Sequence, residues 1–157
     1  MIKFMKMSNL FGKVLFVWVT LFSQAGFAQT SPDPAAALQK GPNGKAIMAY
    51  YTAFMKNDWS LIQPVLADGF TFSSPIDDHI SLATFKTRCW PNAKNTKRFD
   101  LVAVAMNGDE AFVIYNGHTT GGKLFRNSDH FIFKNGKIVS YECFFGPGVN
   151  FPNNAGK

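Results

Sequence analysis

Asp129 is the residue with the clearest chemical potential in this chain. It lies in the stretch Phe125-Arg-Asn-Ser-Asp-His-Phe-Ile-Phe133. A period of two places Phe125, Asn127, Asp129, Phe131 and Phe133 on one face. Turned inward, that face puts a carboxylic acid among phenylalanines, where its charged form is disfavoured. Such a group has a raised pKa and can donate a hydrogen bond or shuttle a proton. The plainer alternative is a carboxylate that pairs with a basic neighbour or faces water. A second group is Asp77-Asp78-His79. A carboxylate beside an imidazole at the mouth of a pocket can abstract or relay a proton. Asp78 could equally cap the helix that follows, with Asp77 solvated.

His118 and His130 fall on neighbouring strands. Metal ligands must converge, and His130 alternates away from Asp129, so no metal site is expected. An acid–base pair of His118 with Asp129 stays open. Cys89 and Cys143 have no adjacent cation and are not proposed as nucleophiles. They could be bridged or remain free thiols. Neither a phosphate loop nor a dinucleotide fingerprint is present, so no cofactor is implied.

These residues need elements to hold them. From Gly44, Ile47, Tyr50, Tyr51 and Phe54 recur at helical spacing up to Asn57. Asp58 is placed to cap a second helix carrying Trp59, Ile62 and Leu66, with Pro64 tolerable only in a first turn. Asp68-Gly69 marks a turn, Phe70 to Ser73 alternates as a strand, and Pro75 closes it. Ile76 to Ile80 reads as a polar loop. Ser81 is an N-cap for a third helix with Leu82, Phe85 and Cys89 on one face, stopped at Trp90-Pro91. Four strands follow: Phe99–Met106, Ala111–Thr119, Leu124–Phe133 and Ile138–Phe145. Asn107-Gly108 and Asn135-Gly136 are hairpin signals. In the last strand Val139, Tyr141, Cys143 and Phe145 share the face expected to meet the helices. Helices first and an antiparallel meander afterwards make an α+β fold. Phe99–Met106 is apolar on both faces, which predicts that the outer face of the sheet pairs with a second copy.

The N-terminus has a different character. Lys3, Lys6 and Lys13 precede the apolar run Val14–Phe22, and Ala25-Gly-Phe-Ala28 supplies small residues at a cleavage position. This is the layout of a secretory signal over 1–28, cut before Gln29. Leu10–Phe22 is too short for the about 20 apolar residues a membrane span takes. No stable anchor is expected after cleavage, and the destination is secreted or periplasmic. Residues 29–43, with three prolines, read as a flexible leader, and residues 149–157 as a polar tail. The signal holds three of the sixteen basic residues and no acidic one, so the formal charge of +6 falls to +3 without it. That excess is no argument for nucleic acid.

The order of elements, Asp58-Trp59, Phe70-Thr-Phe-Ser-Ser-Pro75, and Asp129-His-Phe-Ile-Phe-Lys-Asn-Gly-Lys-Ile138 followed by Tyr141-Glu-Cys-Phe-Phe-Gly146 resemble the nuclear transport factor 2-like superfamily. The nearest branch is the SnoaL-like and ketosteroid-isomerase-like one. The resemblance spans about 44–148. It implies a cone-shaped half-barrel, with three N-terminal helices packed on a strongly curved, mostly antiparallel sheet around an apolar pocket. It also implies dimers through the sheet. Set against the ketosteroid isomerases, Tyr50 matches their oxyanion-stabilising tyrosine and Asp129 their protonated aspartate. Their general base falls on Ser74, whose hydroxyl cannot replace a carboxylate, so steroid isomerisation of the usual kind is not expected.

Two functions follow as expectations. One is an exported protein holding a small hydrophobic molecule, with Phe54, Trp59, Phe72, Phe85, Trp90, Asn127, Phe131 and Tyr141 as its contacts. The other is an isomerase, cyclase or dehydratase using Asp129, Tyr50, Asp78 and His79 as acid–base groups.

Overall fold

The computed structural model describes residues 33–145. The expected secretory signal over 1–28, residues 29–32 of the leader and residues 146–157 with the expected polar tail lie outside the described residues. The helices are α1 (Pro34–Leu38), α2 (Gly41–Lys56), α3 (Trp59–Ile62) and α4 (Leu82–Arg88). The strands are β1 (Leu66–Ser74), β2 (Asp77–Ser81), β3 (Thr96–Asn107), β4 (Glu110–Thr119), β5 (Leu124–Lys134) and β6 (Lys137–Phe144). They form one open sheet in the order β2-β1-β6-β5-β4-β3. All neighbours are antiparallel except β1 and β6, which run parallel. This is the α+β arrangement expected, with helices packed against a mixed sheet.

Local chemistry sets the helix ends. Asn57 adopts a left-handed conformation (φ 50°) that ends α2. The Asp58 carboxylate then accepts from the Ser60 amide at 2.9 Å and starts α3. Pro64 sits in the opening turn of a 3-10 helix at Gln63–Val65, where no amide is missed. Ser81 caps α4 through the Thr84 amide at 3.3 Å.

Two expectations are corrected, and part of the leader is ordered: Asp33 caps α1 by accepting from Ala35 N at 2.9 Å, and Leu38 is fully buried against α2 and β3. The close contact of the two helices depends on Gly44, where an added Cβ would lie 2.3 Å from the Leu38 carbonyl oxygen. The polar loop after Pro75 is strand β2, paired with β1 through Phe72↔Ile80 and Ser74↔Asp77. Backbone pairing does not require apolar side chains, and charged residues suit an edge strand. Finally, two register shifts set the faces of β3 and β6, and the second overturns the face expected for the last strand. One lies between Leu101 and Ala103, so Phe99, Leu101, Val104 and Met106 pack on the core while Val102, Ala103 and Ala105 are exposed. The other lies between Ile132 and Phe133, opposite Val139, so buried Ile138, not Val139, joins Tyr141 and Cys143 in the core.

Candidate ligand cavity

The inner face of the sheet and the helices enclose a cavity of about 240 Å³. Helix α2 supplies Tyr50, Tyr51 and Phe54, spaced to share one face. Phe72 comes from β1, Phe85 and Cys89 from α4 and its end, Asn92 from the turn before β3 and Thr96 from the start of β3. Phe99, Tyr115, Phe125, Asn127, Tyr141 and Cys143 come from successive strands, and Phe145 stands just past β6. Packing among the rings fixes them. Tyr141 lies 4.7 Å from Tyr50 and 5.1 Å from Phe72 between ring centres, and Tyr51 lies 5.4 Å from Tyr115.

Asp129 does not line this cavity. It sits one layer deeper, fully buried, and is the sole buried charged residue among the described residues. Tyr51 donates to its Oδ2 at 2.7 Å. Its Oδ1 makes no hydrogen bond among the described residues. Burial pushes the Asp129 carboxyl up to about 7. Tyr51, Cys143, Tyr141 and Tyr115 oppose that rise, because their polar hydrogens favour the carboxylate. The tyrosines are held well above their ordinary range, first by burial and next by the negative charge of Asp129. Asn127 completes the polar end, donating from Nδ2 to the Tyr115 hydroxyl at 3.3 Å and to the Cys143 sulfur at 3.6 Å.

Of the residues proposed from sequence, Tyr50, Phe54, Phe72, Phe85, Asn127 and Tyr141 line the cavity. Phe131 is fully buried behind Tyr50 and Tyr141 and is a core residue. Trp90 packs edge-on against Phe54 and Trp59 without reaching the cavity. Trp59 borders a separate surface groove, with Lys86 4.7 Å over its ring. Asp78 and His79 are exposed on the edge strand β2 and pair with each other, and neither lines the cavity. Asp77 is instead drawn inward and pairs with Arg88 at 2.7 Å. The Ser74 hydroxyl donates to that same carboxylate at 3.3 Å. His118 does not meet Asp129. It pairs with Asp100 at 2.7 Å on the opposite face of the sheet, and His130 pairs with Glu110 at 2.7 Å while stacking on Phe112.

Tyr51, Phe99, Tyr115 and Cys143 were not singled out as site residues. The signal for Tyr115 was available in the alternation Ala111, Val113, Tyr115, all buried. Cys89 and Cys143 are free thiols on the wall of the same cavity. Burial raises Cys89 to about 11 and Cys143 well above its ordinary value, so neither is an activated nucleophile. Among the described residues, no three His, Cys, Asp or Glu side chains are grouped to hold a metal ion. No described helix is long and apolar enough to cross a membrane.

A family model for the SnoaL-like domain matches residues 47–141. No curated protein matches the chain. Several solved structures share the fold. A protein from Kribbella flavida aligns with TM-score 0.61 at 15% identity, over 66% of this chain and 86% of that one. A putative polyketide cyclase from Sinorhizobium meliloti aligns with TM-score 0.55 at 20% identity, over 63% and 93%. An M. tuberculosis LEH-like epoxide hydrolase aligns with TM-score 0.56 at 13% identity, over 66% and 81%. Likeness at these identities establishes the fold and leaves chemistry to the site.

Proposed function

We propose that this chain, which belongs to the SnoaL-like domain family, is an exported protein that holds a small apolar molecule in its aromatic cavity. The observation that carries this reading is the cavity itself: aromatic walls with a few convergent polar groups at one end, the usual make-up of a small-molecule site. Export rests on the pattern of charge, apolar run and small residues over 1–28. The domain is also proposed to pair with a second copy through the outer face of its sheet.

A second reading, an isomerase, cyclase or dehydratase, is supported by the Tyr51–Asp129 hydrogen bond at 2.7 Å and by a carboxyl whose pKa, about 7, suits proton transfer near neutrality. The fold neighbours described as a putative polyketide cyclase and an epoxide hydrolase are in keeping with it. Binding is preferred because Asp129 is screened from the cavity by tyrosines and because Ser74 offers no carboxylate. Mass spectrometry of small molecules released from the protein, purified from its own host, tests the reading. A Cys143→Phe variant, which fills the cavity, should lose the compound that the wild type carries. Equal yields from both proteins would place the compound elsewhere and sink the proposal.

A further inference from the structure

At the polar end of the cavity the hydrogens of Tyr51 and Asn127 are committed, while acceptors are spare. The Tyr51 hydroxyl gives its proton to Asp129 at 2.7 Å. Asn127 spends its amide hydrogens on the Tyr115 hydroxyl and the Cys143 sulfur, which leaves its carbonyl oxygen to accept. Beneath them lies a fully buried carboxyl with Oδ1 unpartnered. Of the fifteen residues lining the cavity, ten are aromatic and none is Lys, Arg or His, so the protein itself brings no positive charge there. Aromatic faces attract cations, most strongly where water is excluded, and a buried carboxylate is costly until a positive charge comes near it.

We infer that the molecule this cavity takes carries a protonated amine on an apolar body, with the ammonium seated on the tyrosine and asparagine oxygens above Asp129. This rests on the reading of the cavity as a ligand site. A carbonyl or phenolate ligand would instead bring a further acceptor, and the phenolate a second negative charge, to an end whose Tyr51 and Asn127 hydrogens are already engaged above a carboxyl. The titratable groups facing Asp129 are Tyr50 and Tyr51 from α2, Tyr115 from β4, and Tyr141 and Cys143 from β6, each held in its neutral form by burial. None can supply a cation. Asp129 is therefore the group whose charge a bound amine reads, and binding favours its ionised form. Affinity for an amine rises with pH as that proton is lost.

Isothermal titration of the full chain with benzylamine, benzaldehyde and toluene, three probes of similar size, tests this. Benzylamine stays protonated across the range used, so any pH effect belongs to the protein. At about pH 8.5 benzylamine should bind at least about tenfold tighter than either neutral probe, and the advantage should shrink as pH falls through about 7. Asp129→Asn should abolish the advantage and keep toluene binding. Should that variant not fold, the wild-type pH series decides alone. Benzaldehyde binding as tightly as benzylamine, or a preference that pH leaves unchanged, overturns the inference while the cavity remains a ligand site. Binding of none of the three overturns both.

Discussion

Asp129 holds a proton up to about 7 because burial outweighs the four polar hydrogens that oppose it. The folded pKa lies above the ordinary 3.8, so between the two values the native state binds a proton that the unfolded chain has released. Folding stability from this group is therefore greatest at low pH and declines as pH rises through the folded pKa. At about 1.4 kcal/mol per pKa unit, the loss above neutrality is on the order of 4 kcal/mol. Asp129→Asn keeps the shape and removes the titration. Denaturant unfolding of both proteins from acid to alkaline pH should show a decline in the wild type that the variant lacks, with the variant at least as stable above neutrality. Parallel pH profiles would show that Asp129 is not the buried titrating group. Tyr51→Phe acts in the opposite sense. It removes the hydroxyl that steadies the carboxylate, raises the Asp129 pKa further, and should destabilise the fold by about 1–3 kcal/mol above neutrality and by less in acid. Equal losses at both pH extremes in the same unfolding series would remove Tyr51 from that role.

At the scale of elements, two glycines and one leucine set how closely the pieces approach. An added Cβ at Gly117 would lie 2.1 Å from the end of the Phe125 ring, which borders the cavity. Gly117→Ala should cost about 1–3 kcal/mol and push Phe125 into the space a ligand uses. Thermal unfolding and toluene titration would report the two effects, and an unchanged melting temperature would show that the ring swings away freely. Leu38→Ala should cost about 2–5 kcal/mol by emptying a wholly buried site; an effect below half a kcal/mol would mean α1 is no part of the folded unit. That helix illustrates what sequence could not reveal. Three prolines in fifteen residues read as a leader, yet Asp33 and Pro34 form a helix start and Leu38 is buried against α2 and against a distant strand, β3. The hairpin β1–β2 escaped for a similar reason: its stability comes from backbone pairing, which polar side chains do not announce. The inward face of β5 was legible because Asn127 and Asp129 interrupt a strict alternation of phenylalanines. Which tyrosine would reach Asp129 was not, because Tyr50 and Tyr51 are adjacent on α2 and differ by only one helical step, about 100°. Register shifts in β3 and β6 depend on cross-strand partners and leave no trace in either strand's own pattern.

For the whole molecule, the outer face of the sheet is the surface left to explain. Phe112, Ile114, Ile132 and Phe144 are exposed there, and register sets Ile114 beside Ser128 and Ser128 beside Phe144. Ala103 and Ala105 extend the same patch across β3 through their pairing with Ile114 and Phe112. Its polar members are already partnered within the chain: His130 with Glu110, and Arg126 with Asn116. Such pairs can enter an interface without leaving a lone charge. Edge-to-edge growth is a poorer route, because β2 presents Asp78 and His79 and β3 begins Thr96-Lys97-Arg98. A stable partner needs roughly 800 Å² from each copy, and a six-stranded sheet offers a face of that order. The proposed dimer is thus expected to be face to face, with Ile114 near its centre. Ile114→Lys sets two positive charges against each other across the two-fold axis. Sedimentation equilibrium at micromolar concentration should give twice the chain mass for the wild type and the single-chain mass for the variant, with the cavity still binding toluene. A wild-type protein that sediments as a single chain at every concentration would leave this patch to some other partner.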